Sequence, residues 1–476
     1  MRVSKETVYR EIPEFGGNID IDGLLRSEKD RRDRVVAVLD DDPTGIQTVH
    51  DVYVYTDWSR ETLEDAFKEG MCFFIHTNTR AKAEEDTAEI NRTIMKNCVL
   101  ASRKTGKDFT VMSRSDSTLR GHYPLETSVL REVYEAETRN KVHGEVLTPC
   151  FFEGGRFTYN DIHFVGEGED FIPAGETEYA KDSVFGYGSS NLREYIEEKT
   201  NGRWKTGDVV SIPLELMRSG DTDEILRILM SAEGFCKIVV NAMSYDDLRV
   251  FLIACFAAER GGKRFIYRTA ASFVKAYCMI EDRALLDAED IRRPGGNGGA
   301  VVTVVGSHVK KSSEQLAELL KCERVCGVEL DVERVLEDET ARQAEMDKAV
   351  QAMERAFDSS LNPVLYTSRK LIRADGSDGK DNLEIARTVS RTLVEIVKRI
   401  QERAWCIIAK GGTTSSDILV KALRIKKACV AGQVIPGVPL LFLPGGGGLK
   451  EKTYIIYPGN VGDRDSLADV YKAVLA

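Results

Sequence analysis

Residues 35–45 read VVAVLDDDPTG, five apolar residues followed by three carboxylates, a proline, a threonine and a glycine. A short β-branched run of this kind predicts a strand buried on both faces, with a polar turn at its carboxyl end. The pattern recurs outward along the chain. Residues 72–75 run into HTNTR, which ends at Arg80, and residues 109–112 run into SRSDSTLRG, which ends at Gly121; residues 237–240 form another strand candidate. Amphipathic stretches separate these runs, so the alternation predicts an α/β domain with a largely parallel sheet.

Ligands of open parallel sheets bind just beyond the carboxyl ends of the strands, which singles out the polar residues there. Arg80, Arg114 and Arg120 offer planar donor forks suited to a carboxylate or phosphate. Asp41, Asp42 and Asp116 can accept a proton or order a hydroxyl, and Thr44, Ser115, Ser117 and Thr118 add neutral hydrogen bonds. Together they suit a small polyhydroxylated anion. Each also has a plain structural reading, as a turn whose aspartates cap the next helix or a Ser/Asp/Arg loop with a surface ion pair. Three adjacent carboxylates repel one another, however, and need a cation, a basic neighbour or a task to stay together.

At 476 residues the chain exceeds what one hydrophobic core usually serves. It is read as a polar N-terminal arm over 1–34, a first domain over 35–291, a linker over 292–299 (RRPGGNGG) and a second domain over 300–476. Within the first, residues 148–188 are rich in Gly, Phe and Tyr and read as an insertion or a lid. The second domain repeats the alternation, with a strand at 300–305, a helix through 316–320 and a long helix over about 382–403. Ala386, Val389, Leu393, Ile396, Val397 and Ile400 form one apolar stripe of that long helix, and Asp381 and Glu384 have the spacing to cap it.

Residues 405–409 read as a buried strand, 410–415 (KGGTTS) as a tight turn and 416–423 as the start of a helix. Glycines at such a junction let backbone amides approach a phosphate; an ordinary Gly turn with a Ser or Thr cap is the structural reading. A similar junction, GSHVKKSSEQ at 306–315, offers Ser307 to a nucleotide and gives Ser312 and Gln315 capping-box spacing. Neither PGGGGLK at 444–450 nor YPGNVG at 457–462 fits a Walker loop or a dinucleotide fingerprint.

The balance of 66 basic and 77 acidic residues argues against a general role in gripping nucleic acid. The longest apolar run, VFLIACFAA at 250–258, is too short to span a bilayer, and the N-terminus lacks an apolar signal core, so a cytoplasmic protein without membrane partners is expected. Ten cysteines scattered through apolar segments read as reduced core residues, and Cys322 and Cys326 lack a second pair for zinc. The six histidines show no metal-site spacing, so no metal ligand is assigned and a metal would arrive with a substrate.

Several of these segments match one family in chain order: DDDPTG (40–45), NTR (78–80), DSTLRG (116–121), GS (306–307), GGTTS (411–415), PGVP (436–439) and GNVG (459–462). On them the chain resembles the four-carbon acid sugar kinases, formerly a domain of unknown function. The resemblance implies two α/β domains, the first binding the acid sugar and the second ATP, with the active site in the cleft between them. It places Ser307, Gly411, Gly412, Thr413, Thr414, Ser415, Gly459 and Asn460 near ATP. The DDDPTG, Arg80 and DSTLRG residues fall near the sugar. The chain departs from the family pattern at Arg114, where many members carry lysine, at GGTTSS in place of GGETSG, and at Tyr457 and Pro458 in place of Lys and Ser.

The function expected is ATP- and Mg2+-dependent phosphorylation of a hydroxyl on a small sugar acid, the resemblance implying one such as threonate, erythronate or a 3-oxo-tetronate. Arg80, Arg114 or Arg120 would grip the substrate carboxylate, with Asp41, Thr44, Ser117 and Thr118 around it. Asp42, Asp116 and Arg120 would serve catalysis, Asp42 or Asp116 orienting or deprotonating the attacking hydroxyl. A homodimer is admitted but not required. The alternatives are a nicotinamide-dependent sugar-acid dehydrogenase, against which the missing GxGxxG counts, and a non-catalytic sensor of sugar acid or nucleotide.

Overall fold

The computed structural model describes residues 2–16, 20–30, 34–42, 45–292, 299–369, 380–445, 451–459 and 461–476. They divide into two compact units, Met1–Thr48 with Asp57–Glu281, and Val49–Thr56 with Asp282–Ala476. Both units are α/β.

The run at 35–39 is the core of the strand Arg34–Asp40, buried at every position after Arg34. The runs at 72–75, 109–112 and 237–240 lie in Cys72–His76, Asp108–Arg114 and Cys236–Val240. Polar residues such as Asp40 and Arg114 still pair in the ladder, which is why the strands outlast their apolar stretches. Seven strands form the sheet of the first unit in the order Val210–Ile212, Cys236–Val240, Gly144–Thr148, Phe265–Thr269, Asp108–Arg114, Arg34–Asp40 and Cys72–His76. All neighbours are parallel. Helices cross between them. Ser59 caps Arg60–Glu69 through the Thr62 amide, and Gly106 ends Glu84–Thr105 in the left-handed region at φ 75°. The apolar run at 250–258 lies inside Tyr245–Arg260, a helix buried around most of its circumference.

The N-terminal residues contribute a short strand, Val3–Ser4, and the helices Lys5–Glu11 and Ile21–Asp30. Val3–Ser4 joins Asp170–Pro173, Ile162–Glu167 and Arg156–Tyr159 in a small antiparallel sheet. About a third of the Gly- and Phe-rich segment is therefore strand.

The second unit's sheet runs Val52–Tyr55, Lys427–Ile435, Val438–Leu443, Lys452–Tyr457, Ala404–Lys410, Ala300–Val305, Asn362–Thr367 and Val325–Leu330. The last five are mutually parallel. The first three add an antiparallel extension, turned at Pro436 and Gly437, whose φ of 81° favours glycine. Leu286 and Ile291 pack into this unit's core with Val301, Leu316, Ile408 and Ile455, so the chain has entered the second unit before residue 292. Residues 293–298 of the segment read as a linker lie outside the described residues.

The long helix spans Lys380–Ile400 and ends in a 3-10 turn, Gln401–Arg403. Val389, Leu393, Ile396, Val397 and Ile400 are buried, whereas Ala386, nearer the helix start, is exposed. The residues before this helix and the side chain of Asp381 lie outside the described residues. Among the described residues no helix is long and apolar enough to cross a membrane.

Candidate functional site

At the carboxyl edge of the first unit's sheet, Asp40 stands in register with His76 on one side and Arg114 on the other, and Arg114 with Thr269. The polar strand ends read from the sequence thus form one rim. Arg114 Nη1 donates to Asp40 Oδ1 at 3.0 Å, and both residues are buried. Burial raises the Asp40 carboxyl to about 7 against the pull of Arg114, with Asp41 and Asp42 adding to the rise.

Arg80 gathers the other carboxylates. It donates to Asp41 Oδ1 at 2.7 Å and Oδ2 at 3.4 Å, and lies 3.3 Å from Asp42 and 3.7 Å from Asp116. Asp116 also accepts from Arg120 Nε at 2.7 Å and from Thr118 Oγ1. Burial alone would raise Asp116, but Arg80 and Arg120 outweigh it and hold the carboxyl well below its usual range. Asp116 is therefore ionised at neutral pH, and the repulsion among the aspartates is answered by arginine.

The rim residues differ in access. The Arg114 side chain is 6% exposed, against 18% for Arg80, 25% for Asp42 and 27% for Arg120. Arg114 is thus placed to brace Asp40, while Arg80, Arg120, Asp42 and the less exposed Asp116 present the open face. Ser117 and Thr118 are buried, Asp41 is buried beneath Arg80, and Thr44 lies outside the described residues.

Backbone geometry closes the 116–121 loop. Gly121 sits at φ 130°, where a Cβ would stand 2.6 Å from Ser115 Oγ and 2.8 Å from Arg268 Nη2. The insertion and the helix Leu192–Lys199 that follows it hold the loop: His163 Nε2 donates to the Ser117 carbonyl at 2.7 Å, Tyr187 OH to that of Thr118 at 2.8 Å and Tyr195 OH, from that helix, to that of Leu119 at 2.9 Å. The Arg120 guanidinium stands 5.0 Å over the Tyr179 ring. Burial brings His163 down to about 4, so it stays neutral in this role.

In the second unit, Lys410 ends Ala404–Lys410 in register with Val305 and Tyr457. Three glycines keep the surroundings of Ser307 and Thr414 open. A Cβ would lie 2.2 Å from Thr414 Oγ1 if placed on Gly306, 3.2 Å from the same atom on Gly411 and 3.0 Å from Ser307 Oγ on Gly459. Such a cradle lets backbone approach a ligand. Residues 412–415, read as part of a tight turn, instead begin the helix Gly412–Asp417, which continues as a π-helical turn over Ile418–Ala422. Gly412, Thr413 and Thr414 reach the surface, whereas Ser415 is buried and donates to the Gly411 carbonyl at 2.8 Å.

The capping box expected of Ser312 and Gln315 does not form, because Ser312 lies within the helix Lys310–Leu319. Ser312 Oγ donates to the Gly459 carbonyl at 3.0 Å and lies within hydrogen-bond distance, 2.9 Å, of Ser307 Oγ, and Gln315 Nε2 donates to the Val461 carbonyl at 3.0 Å. Both residues fasten the segment after Tyr457 to the cradle. Asn460 lies outside the described residues.

Sequence reasoning passed over three cations. Arg268 Nη1 donates to Ser113 Oγ at 2.8 Å and to Glu126, and its Nη2 to Ser115 Oγ at 2.8 Å. Arg369 and Lys410 border the glycine cradle, Arg369 Nη1 donating to the Ser307 carbonyl at 2.8 Å and Lys410 Nζ to that of Pro458 at 3.1 Å. The usable signal was position, since Arg268 and Lys410 each close an apolar run. Among the described residues no three His, Cys, Asp or Glu side chains are grouped to hold a metal ion.

Two domain profiles match this division of labour. A sugar-binding N-terminal domain matches residues 36–277, and a nucleotide-binding C-terminal domain matches residues 302–467. The chain belongs to the family that joins these two domains. Its sugar-binding domain carries the Asp/Arg rim, and its nucleotide-binding domain carries the glycine cradle. Among solved structures, a Salmonella typhimurium LT2 protein described provisionally as a tRNA synthase is 16% identical with a TM-score of 0.65, covering 92% of this chain and 98% of its own. Haemophilus influenzae protein HI1011, assigned to DUF1537, is 17% identical with a TM-score of 0.62, covering 92% of this chain and 100% of its own. At these identities the likeness shows the fold alone. No curated protein matches.

Proposed function

We propose that the protein is an ATP-dependent kinase of small sugar acids, of the four-carbon class that includes threonate, erythronate and 3-oxo-tetronates. The observation that carries this reading is the Arg80–Asp116–Arg120 cluster on the open edge of a sugar-binding domain, in a chain that also has a nucleotide-binding domain. Arg120, partly exposed and stacked on Tyr179, receives the substrate carboxylate, with Arg80 beside it. Asp116 keeps both guanidiniums in place and accepts a hydrogen bond from a substrate hydroxyl. Asp42, the more exposed carboxylate, takes the proton of the attacking hydroxyl.

The glycine cradle fits a phosphate chain, since a Cβ on Gly306, Gly411 or Gly459 would fill it. ATP, brought with magnesium, supplies the phosphoryl group. Ser307, Gly412, Thr413 and Thr414 hold its phosphates, and transfer requires the reacting groups to be shielded from water. The ten free thiols support a cytoplasmic protein.

The test is ADP release on addition of four-carbon acids. Release that depends on the acid supports the reading; nicotinamide reduction by the same acids, or ligand binding without turnover, would replace it with a dehydrogenase or a sensor.

A further inference from the structure

Two cations of the second unit have no carboxylate in contact among the described residues, Glu329 acting on Arg369 only from a distance. Lys410 is fully buried, with Nζ donating to the Pro458 carbonyl at 3.1 Å and standing 4.0 Å over the Tyr457 ring. Arg369 donates through Nε to the Thr367 carbonyl at 2.9 Å, through Nη1 to that of Ser307 at 2.8 Å and through Nη2 to Thr367 Oγ1. Neither forms an ion pair among the described residues. The strands that lead to them, Ala404–Lys410 and Asn362–Thr367, flank Ala300–Val305, which itself leads into Ser307.

An ammonium enclosed by a carbonyl and a ring, with no counter-charge, is an unfavourable arrangement unless an anion comes to it. We propose that Lys410 and Arg369 supply the counter-charge of a polyphosphate subsite centred on Ser307 and the Gly411 turn, an inference that rests on the nucleotide-binding role of this domain. Lys410 is a positioning charge: it stands behind the turn and fixes the Pro458–Gly459 segment. Burial, with a smaller push from Lys311, brings its amine down to about 7. An arriving polyanion reverses that balance, and Lys410 takes up a proton from solvent as the ligand binds.

Other charged groups on the neighbouring elements do not duplicate this behaviour. His308, beyond Ala300–Val305, is itself lowered by burial and by Arg369. Tyr457 is a buried phenol raised above its ordinary range. Asp417, on Gly412–Asp417, is paired with Lys421 at 2.7 Å and bonded to Ser390.

Calorimetry of the full chain with ADP alone, at pH 7.5 and 9.0 and in two buffers of different ionisation enthalpy, tests the inference. Wild type is expected to bind at least about tenfold more tightly at pH 7.5 and to take up a proton on binding at the higher pH. Lys410→Met should bind more weakly, with the pH dependence and proton uptake gone, while Arg369→Gln should weaken ADP and leave adenosine unchanged. Wild-type affinity that is level across this range without proton uptake would overturn the inference, as would an unaltered pH profile in Lys410→Met. Wild type that binds no ADP at either pH would overturn the nucleotide reading itself.

Discussion

Arg80 spans both oxygens of Asp41, at 2.7 and 3.4 Å, while its other η nitrogen stands 3.7 Å from Asp116 on the neighbouring strand's loop. One guanidinium therefore locks two strand ends together. Replacing Arg80 with Ala leaves a buried Asp41 beside Asp42 and Asp116 with no cation between them. Removing one partner of a buried pair costs about 3–5 kcal/mol, and urea unfolding of the variant should show a loss of that order. A loss under about 1 kcal/mol, the scale of an exposed pair, would contradict the assignment.

Asp116→Asn keeps the shape of the loop but removes the charge that holds Arg80 and Arg120. If Asp116 organises the acid sugar, kcat should fall by about 10²-fold or more with the circular-dichroism spectrum unchanged. Steady-state kinetics at wild-type rate in this variant would remove Asp116 from the site.

Much of this rim was legible in the sequence because parallel strands advertise themselves as short apolar runs, and polar residues after such runs have nowhere to go but the sheet edge. Asp40, Asp41, Arg80, Arg114 and Asp116 were found that way. What was not legible depends on long-range pairing. The Val52–Tyr55 strand pairs with Lys427–Ile435 across hundreds of residues, and no local pattern announces that partner. Arg114 and Arg120 also look alike in sequence, six residues apart in one segment; only the Asp40 contact decides that one braces and the other is presented.

Asp40 makes stability depend on pH. Its carboxyl rises from an ordinary 3.8 to about 7 in the folded state, so the folded protein keeps a proton that the unfolded chain has lost. The sign follows: stability from this group is full below 3.8 and declines as pH rises towards 7. Denaturant midpoints of wild type relative to Asp40→Asn should therefore fall across that window and level off above it. A difference that rises with pH would mean that the pull of Arg114 outweighs burial, contradicting the raised Asp40 carboxyl.

Gly121→Ala and Gly411→Ala separate the two sites. Both glycines have φ in the region that disfavours side chains, at 130° and 118°. Gly121→Ala presses on Ser115 and Arg268 and should weaken the acid sugar while sparing nucleotide affinity. Gly411→Ala presses on Thr414 and Ser307 and should do the reverse. Equilibrium binding of each ligand to each variant checks this, and equal effects on both ligands in either variant would refute the division.

The most direct measurement is ADP release from ATP by the purified full chain across a panel of four-carbon sugar acids, with the phosphorylated acid measured alongside. The account predicts that at least one acid drives release, mole for mole with its phosphorylated product, and that Asp116→Asn and Gly411→Ala both suppress it. ATP consumption that is the same with and without every acid, or none at all, would contradict it.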